Sequence, residues 1–454
     1  MFKKVLIANR GEIACRIIRA CHELGVQAVA VYSEPDKDSL HVKMADHAVC
    51  IGAGPNADSY LNMPNVLMAA IVSGAEAVHP GYGYFSEQAQ FADALQTLGI
   101  KFIGPPVEAI TQMGDKSAAR DAAKRAGCPV VPGTDGPIES LEDAAELAET
   151  IGFPLLVKAS AGGGGRGIRR VESPDELENQ LTAAQIEADA AFGNGQVYLE
   201  KMIVGPRHVE VQIIADAYGN CVHLGERECS VQNLRHQKMI EEAPFAMLTE
   251  EVRDQMGSAA VALAKSVGYQ NAGTIEFLMD KSGDFYFIEM NTRLQVEHPV
   301  TEEVTGVDIV KTQLKIAAGE ELPFAQHDIT WQGHSIEARI TAQDPERKFA
   351  PSCGTITQWT PPDGDDVRLE THVYEGFSIT PFYDPMIAKL IVTADDRSEA
   401  IRRMSSALRE FKVGGIKTNI PFLIRLLDDA KYRAGDVDTT YVATLMEEGE
   451  TANV

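Results

Sequence analysis

The chain has 454 residues, of which 44% are hydrophobic and 24% are charged, a composition typical of a globular protein with several domains. Its 41 basic and 66 acidic residues give a net charge of −25. Because such a charge repels nucleic acids and anionic membranes at long range, we expect neither as a partner.

The first hundred residues alternate short β-rich runs with amphipathic helical stretches. The predicted elements are strands at 4–8, 28–32 and 77–79 and helices at 13–24 and 67–73. This βαβ order predicts an α/β domain with a parallel, Rossmann-like sheet. The turn at 9–12 lacks the G-x-G-x-x-G spacing of a dinucleotide site, so no NAD site is predicted there.

Residues 104–136 are rich in turn formers and contain one predicted helix, 116–126, so we interpret them as a linker. A small lid is predicted over about 132–203. Its elements are helix 141–151, strand 154–159, a glycine loop, helix 174–190 and strand 196–202. Beyond it strands dominate, with predicted helices at 250–267, 307–318 and 397–408. The predicted domains are 1–115, 116–330 with the lid, and an α+β domain over 331–446.

The glycine loop, from Gly162 to Gly167, follows a strand that ends near Lys158. Consecutive glycines let backbone N–H groups approach a phosphate, while Lys158 and Arg166 add positive charge. The order of residues is not that of a P-loop, so a nucleotide would be held in another way. A flexible hairpin is the alternative interpretation.

Two predicted strands, 273–280 and 285–293, flank a turn centred on Ser282 and Gly283. With a two-residue turn, Glu276 lies directly opposite Glu289. Opposed carboxylates about 4.5–5.5 Å apart at Cβ repel each other, which favours a hard cation between them. We therefore predict a Mg²⁺ site.

The second of these strands carries polar residues at every other position, which predicts one wholly polar face. The polar set is Glu289, Asn291, Arg293, Gln295 and Glu297, and the apolar set on the other face is Ile288, Met290, Leu294 and Val296. A solvated sheet face is the alternative. A mixture of carboxylates, an amide and an arginine favours a site for metal and an oxyanion.

A third group is basic, with Arg207 and His208 in one stretch and Arg235, His236 and Lys238 in another. Each alone is typical of a solvated loop. Together with an anion-activating centre, they would supply cations for bicarbonate and phosphates.

In these stretches the chain resembles the biotin carboxylases, which are ATP-grasp subunits or domains of biotin-dependent carboxylases. The segments that carry the resemblance are 7–14, 79–83, 113–116, 158–167, 226–230 and 287–302. The resemblance extends to about residue 445. It implies an ATP-grasp fold with a pre-ATP-grasp N-terminal domain, a lid and a C-terminal domain.

The resemblance also implies a role for individual residues. It assigns ATP binding to Lys116, Lys158, Gly164, Gly165, Glu200, His208, His236 and Leu278. It assigns the Mg²⁺ or Mn²⁺ ligands to Glu276, Glu289 and Asn291, and the bicarbonate pocket to Lys238, Arg293, Gln295 and the backbone of Val296. Glu297 matches the general base, Arg339 the arginine that stabilises the biotin enolate, and Tyr82 a contact to biotin.

The implied reaction begins with phosphoryl transfer from ATP to bicarbonate. The resulting carboxyphosphate collapses to CO2 inside a closed site, and CO2 carboxylates N1′ of biotin. Positioning and charge neutralisation dominate phosphoryl transfer, which is consistent with the metal carboxylates and the lysines. A lid that excludes water would protect carboxyphosphate from hydrolysis.

The sequence departs from the family pattern in two places. The loop at 233–235 is one residue longer and has one arginine fewer, which puts the register of His236 and Lys238 in question. An aromatic that contributes to the dimer contact in bacterial relatives is missing near 364–366, although Arg16, Arg19 and Glu23 match the dimer surface. We expect a homodimer.

The chain lacks a Met-Lys-Met biotinylation site, so we expect the biotin carboxyl carrier protein and the carboxyltransferase to be separate chains. The final acyl acceptor stays open among acetyl-CoA, propionyl-CoA and pyruvate or another 2-oxo acid. Seven cysteines without C-x-x-C spacing, and no signal-peptide or membrane-spanning pattern, favour the cytoplasm. Another ATP-grasp ligase and a catalytically silent homologue are the alternatives.

Overall fold

The computed structural model describes residues 1–134, 136–138, 140–159, 168–192 and 194–451. Gly164 and Gly165, two of the predicted ATP-binding residues, lie outside the described residues.

The N-terminal part is a five-stranded parallel sheet in the order β3-β2-β1-β4-β5. Its strands are β1 Lys4–Ile7, β2 Gln27–Ser33, β3 His47–Gly52, β4 Ala77–His79 and β5 Lys101–Phe102. Its helices are α1 Gly11–Glu23, α2 Leu40–Met44, α3 Met63–Ser73 and α4 Ala89–Thr97. The predicted parallel sheet is confirmed. The sequence missed the two edge strands, because β3 is mostly exposed and β5 has only two residues.

The interpretation of 104–136 as a linker is wrong. Two helices, α5 Val107–Gly114 and α6 Lys116–Arg125, occupy this segment. Met113 and Ala123 are buried and pack in the same core as strands of the central sheet described below. The chain after α6 also contacts the central sheet, because the carbonyl of Pro129 accepts a hydrogen bond of 2.7 Å from the backbone N–H of Phe287. The turn formers only flank these helices.

The lid is a three-stranded antiparallel sheet, in the order β7-β6-β8, with two helices. Its elements are α7 Leu141–Ile151, β6 Leu155–Ala159, β7 Ile168–Val171, α8 Pro174–Phe192 and β8 Val197–Lys201. A hydrophobic cluster that includes Ala144, Leu155, Leu181 and Leu199 gives the lid a small core of its own.

The rest of the chain is built on an eight-stranded sheet in the order β13-β12-β9-β10-β11-β14-β21-β19, and every pair in it is antiparallel. Its first six strands in the chain are β9 Arg207–Ala215, β10 Cys221–Gln232, β11 Lys238–Ala243, β12 Asn271–Met279, β13 Phe285–Asn291 and β14 His334–Thr341. Strands β19 Val367–Thr371 and β21 Met386–Ala394 complete it. Three two-stranded sheets lie outside it: β15 Gln343–Asp344 with β16 Ala350–Pro351, β17 Gly354–Thr355 with β20 Ser378–Ile379, and β18 Gln358–Thr360 with β22 Lys412–Gly414.

Helices cover this sheet and extend to the C-terminal end of the described chain. They are α9 Glu250–Ser266, α10 His298–Thr305, α11 Ile309–Ala317, α12 Arg397–Glu410, α13 Ile420–Asp428, α14 Ala430–Arg433 and α15 Tyr441–Thr451. No helix within the described ranges combines the length and the apolar character that crossing a membrane requires.

The central sheet is continuous across the predicted domain limit at 330/331. Strand β11 pairs with β14, so that Glu241 lies opposite Glu337. Side chains from both predicted domains therefore stand on one sheet face, which positions the candidate site. The limits 1–115, 116–330 and 331–446 stay a prediction.

Candidate active site

A cavity of about 560 Å³ opens where the N-terminal part of the chain meets the central sheet. The predicted metal, bicarbonate and biotin residues line it, together with His236 from the predicted ATP-binding set. They are Tyr82, Lys238, Glu276, Glu289, Asn291, Arg293, Gln295, Val296 and Arg339. The sequence patterns that suggested separate sites therefore converge on one site.

Glu276 on β12 and Glu289 on β13 are direct cross-strand partners, as predicted. The predicted two-residue turn is wrong. The residues 281–283 form the loop, which the backbone N–H of Asp280 closes on the carbonyl of Asp284 at 2.9 Å. Gly283 there has φ 93°, a left-handed conformation that suits glycine. An irregularity between Glu276 and Phe277 offsets the longer loop and restores the predicted pair.

Two of the predicted metal residues are in direct contact, and the predicted ATP-binding residue His208 lies beside them. Nδ2 of Asn291 donates to Oε1 of Glu276 at 2.8 Å, and Nε2 of His208 lies 3.0 Å from Oε2 of Glu276. Burial alone would raise the pKa of Glu276, but the charges of Lys238 and His208 outweigh it and lower the pKa. Burial, reinforced by Glu276, raises the pKa of Glu289. The pair thus consists of an ionised carboxylate, Glu276, and a carboxyl group, Glu289, whose ionised form would be stabilised by a nearby cation.

The prediction of one polar strand face from 289 to 297 is wrong beyond Asn291, where β13 ends. Arg293 and Gln295 follow in irregular chain, with Nη1 of Arg293 donating to Oε1 of Gln295 at 2.9 Å. Glu297 is the residue before helix α10 and reaches the site from the helix N-terminus. Ile288, predicted on the apolar face, is 39% exposed at the strand irregularity. The alternation of polar and apolar residues continues past Asn291, where it no longer reflects the geometry of a strand.

Glu297 is fully buried and lies between two cations. Nζ of Lys238 donates to Oε1 at 2.6 Å, and Nη2 of Arg339 donates to Oε2 at 3.0 Å. Burial alone would raise the pKa of Glu297, but Lys238, Arg339 and then Arg227 hold it well below its usual range. The carboxylate is therefore ionised at neutral pH.

Three further charged residues, Glu210, Arg227 and Glu241, complete this network and were not among the predicted site residues. Nε of Arg227 donates to Glu210 at 2.5 Å, and Nζ of Lys238 donates to the other oxygen of Glu210 at 2.7 Å. Nε of Arg339 donates to Glu241 at 2.5 Å. Glu210 alternates with buried valines in Val209–Val211, which is the one sequence signal that could have marked it as an inward-facing charge.

The predicted ATP-binding residues are only partly brought together. His208 on β9 pairs across the sheet with Leu278 on β12, beside the cavity. Lys116 starts helix α6 and lies near enough to oppose the rise in the pKa of Glu289. Lys158 and Glu200 form an ion pair with each other on the lid sheet and do not line the cavity.

The long loop at 233–237 does not displace Lys238. Oδ1 of Asn233 accepts from the backbone N–H groups of Arg235 at 2.8 Å and Gln237 at 3.1 Å, so the loop folds on itself before β11 begins. His236 is exposed at the cavity and has φ 58°. The additional residue is absorbed within the loop, and Lys238 reaches Glu210 and Glu297.

Family models match three consecutive segments of the chain. They describe a biotin carboxylase N-terminal domain over residues 1–110, the ATP-binding domain of the carbamoyl-phosphate synthase L chain over 115–325, and a biotin carboxylase C-terminal domain over 337–444. A biotin carboxylase of Nostoc sp. is 53% identical over 97% of this chain and 98% of its own length. The chain belongs to the biotin carboxylase family.

Biotin carboxylase 1 of Bacillus subtilis is 52% identical over 98% of this chain and 99% of its own length. A crystal structure of the biotin carboxylase domain dimer of Hydrogenobacter thermophilus 2-oxoglutarate carboxylase, with MgADP, ADP and bicarbonate, has a TM-score of 0.89 and 52% identity. It covers 98% of each chain. The predicted family, ATP-grasp fold and ATP-dependent biotin carboxylase activity are confirmed.

Proposed function

We propose that this biotin carboxylase runs both steps of its reaction in the cavity beside Glu297, with ATP, bicarbonate and carrier-bound biotin as reactants and Mg²⁺ as the metal cofactor. The burial of Glu297 between Lys238 and Arg339 is the observation that carries this proposal. One cation lies on the side of the metal residues, and the other lies on the side of Tyr82. Glu297 is thus placed between the phosphoryl-transfer half and the biotin half of the site.

Glu276 and Glu289, with Asn291, are the proposed Mg²⁺ or Mn²⁺ ligands. Two carboxylates and an amide oxygen fit a hard cation, which usually takes few protein oxygens and leaves the remainder to phosphates and water. The bound cation would bridge and neutralise the phosphate oxygens. The proposed nucleotide contacts are Lys116, Lys158, Gly164, Gly165, Glu200, His208, His236 and Leu278, with the ion pair of Lys158 and Glu200 on the lid.

Lys238, Arg293, Gln295 and the backbone of Val296 are proposed to hold bicarbonate. Lys238 donates to Glu297 in this structure. A bound bicarbonate anion would interact with the Lys238 ammonium and so weaken its hold on Glu297. The pKa of Glu297 would then rise towards the range of an effective general base. Glu297 can accept the bicarbonate proton as the bicarbonate oxygen attacks the γ-phosphate.

Arg339 and Tyr82 form the proposed biotin half. Arg339 is a guanidinium shared between Glu241 and Glu297, so its donors are already fixed in direction. Such a preorganised donor would stabilise the enolate form of the ureido group without reorganisation. The hydroxyl of Tyr82 donates to Glu12, which fixes the ring beside the cavity.

A carrier protein and a carboxyltransferase on separate chains are the proposed partners, and a homodimer is the proposed assembly. The solved relative from H. thermophilus is a dimer. Arg16, one residue of the expected dimer surface, is buried here against Glu302 at 2.9 Å and Asp308 at 2.7 Å. Arg19 and Glu23 lie beside that cluster and would face the partner subunit.

The decisive experiment measures ATP hydrolysis by the purified protein with Mg²⁺ and bicarbonate, with and without free biotin. We expect hydrolysis to require bicarbonate and to rise with biotin. ATP hydrolysis that ignores both additions would contradict the proposal and favour another ATP-grasp substrate. The activity of biotinylated carrier proteins from different carboxylases would then identify the partner.

A further inference from the structure

Lys389 is a fully buried lysine on β21, directly opposite Arg339 on β14. Two cations in directly opposed positions repel each other, and a lysine ammonium out of contact with water is costly unless it is paired. A replacement by an apolar residue would avoid both costs. The contacts of Lys389 indicate what the charge does at this position.

The two cations bind two consecutive residues of the same segment. Arg339 donates to the carboxylate of Glu297 at 3.0 Å, while Nζ of Lys389 donates to the backbone carbonyl of Val296 at 2.7 Å. Arg339 therefore holds the side chain of the proposed base, and Lys389 holds the main chain immediately before it.

Glu12 connects Lys389 to the biotin half of the cavity. Nζ of Lys389 lies 3.3 Å from one oxygen of Glu12, and the other oxygen accepts from the hydroxyl of Tyr82. One ammonium thus joins β21, helix α1 and the segment before α10. These elements belong to distant parts of the chain, so the contact fixes their relative position at the cavity.

The segment at Val296 needs such a constraint because it is irregular chain. Strand β13 ends at Asn291, and helix α10 begins only at His298. The carbonyl of Gln295 is held by Nδ1 of His298 at 2.8 Å, and Lys389 holds the next carbonyl. Without Lys389, the peptide between Val296 and Glu297 would lose its only partner from the central sheet among the hydrogen bonds of the described residues.

We propose that Lys389 is a positioning residue of the reaction, which fixes the main chain of Val296 and so places both bicarbonate and the carboxylate of Glu297. The proposal rests on the proposed function of the cavity. It predicts that loss of Lys389 impairs the use of bicarbonate more than the binding of ATP, because the proposed metal ligands and the described nucleotide residues lie on elements other than β21 and the segment before α10.

The test compares Lys389→Met with the wild type by steady-state kinetics of biotin-dependent ATP hydrolysis. We expect KM for bicarbonate to rise about tenfold and kcat to fall by a similar factor, which is the size expected for one hydrogen bond to a charged group. KM for ATP should stay within about twofold. Lys389→Arg keeps a cationic donor and should recover part of the loss.

Lys412→Met is the matched control, because Nζ of Lys412 also donates to a backbone carbonyl, that of Arg409 at 2.6 Å, but on the exposed surface. Should Lys389→Met not fold, Lys389→Gln is measured instead; its neutral amide is a weaker donor than the ammonium, so KM for bicarbonate should still rise, by a smaller factor. Unchanged KM for bicarbonate in a folded variant, or equal loss for both substrates, would overturn the proposal. A wild type without bicarbonate-dependent activity would instead refute the proposed function.

Discussion

Nζ of Lys238 lies 2.6 Å from Oε1 of Glu297 and 2.7 Å from Oε2 of Glu210, so one partly buried ammonium is shared between two buried carboxylates. Burial alone would lower the pKa of Lys238, but the acidic side chains around it keep that pKa well above its usual value. Before bicarbonate binds, Glu297 is thus a weak base held by Lys238. In the proposed mechanism, bicarbonate binding would draw part of the Lys238 charge away and so raise the basicity of Glu297.

Replacement of Glu297 tests this role directly. Glu297→Gln keeps the size of the side chain but removes the proton acceptor, so we expect bicarbonate-dependent turnover to fall by about 100-fold or more. ATP binding, measured by titration with a fluorescent nucleotide, should be unchanged. Glu320→Gln, a substitution at an exposed position, is the control. If turnover persists in the Glu297 variant, another group must accept the proton.

The metal pair gives a second prediction. Glu289→Gln leaves Glu276 with an uncharged partner, so the site loses one anionic ligand and should need about tenfold more Mg²⁺ for half-maximal ATP hydrolysis. The measurement is a Mg²⁺ titration at fixed, saturating ATP. Asp284→Asn changes a carboxylate on the same hairpin but at the exposed turn, where it accepts from Ser282. Equal Mg²⁺ requirements in the two variants would exclude Glu289 as a ligand.

The third prediction concerns Arg227, which is 0% exposed and donates to Glu210, Gln212, Thr274 and Thr301. Arg227→Met would leave Glu210 buried with Lys238 as its remaining cation, which should destabilise the fold by about 3–5 kcal/mol. Denaturant unfolding measures the loss.

The control for Arg227 is an arginine–glutamate pair on the surface. Arg402 donates to Glu399 at 2.5 Å but its side chain is 70% exposed, so Arg402→Met should destabilise the fold far less than Arg227→Met. Similar losses in the two variants would show that burial does not set the strength of the Arg227 contacts.

The sequence predicted the pairing of Glu276 with Glu289 correctly for a reason that was only half right. Glu276 does lie opposite Glu289. The loop is one residue longer than predicted, and the irregularity beside Glu276 shifts the register by one residue, so the two departures cancel. A local pattern cannot anticipate two compensating changes of register. The same limit explains Glu297, which alternation assigned to a strand and the structure assigns to a helix N-terminus.

Glu210, Arg227 and Lys389 escaped prediction for a different physical reason. A single charge within a β-strand usually faces solvent, and only long-range pairing shows that it faces inward. Their partners lie on other strands or in distant segments, as with Lys389 and Val296. The family resemblance identified the proposed metal, bicarbonate and biotin residues of the cavity. The residues that hold them in place could be recognised only once the order of the strands was known.

The last prediction concerns a carboxylate pair that the proposed reaction does not use. Glu228 on β10 lies directly opposite Glu242 on β11, and both are buried. Arg397 and His334 contact Glu242, at 2.6 Å and 2.8 Å, so that its pKa falls to about 2 despite burial. Burial, followed by the charge of Glu242, raises the pKa of Glu228 to about 7.

The folded protein therefore holds a proton on Glu228 that the unfolded chain releases above its ordinary pKa of 4.5. This contribution to stability is fully present below about pH 4.5 and is lost as pH rises through about 7. The free energy of unfolding should thus decrease between pH 5 and 8 by an amount on the order of 3 kcal/mol. Glu242 titrates below this window and adds no slope within it.

Glu228→Gln presents an uncharged amide to Glu242 at every pH, so we expect it to unfold at higher urea concentration than the wild type at pH 8 and at a similar one at pH 5. Other groups, including Glu241, whose pKa burial raises to about 7, also make the free energy of unfolding depend on pH. Their contribution is the same in both proteins and cancels in the comparison. Parallel curves for the two proteins would mean that Glu228 stays ionised throughout, with Arg207 and Arg397 sufficient to hold both charges.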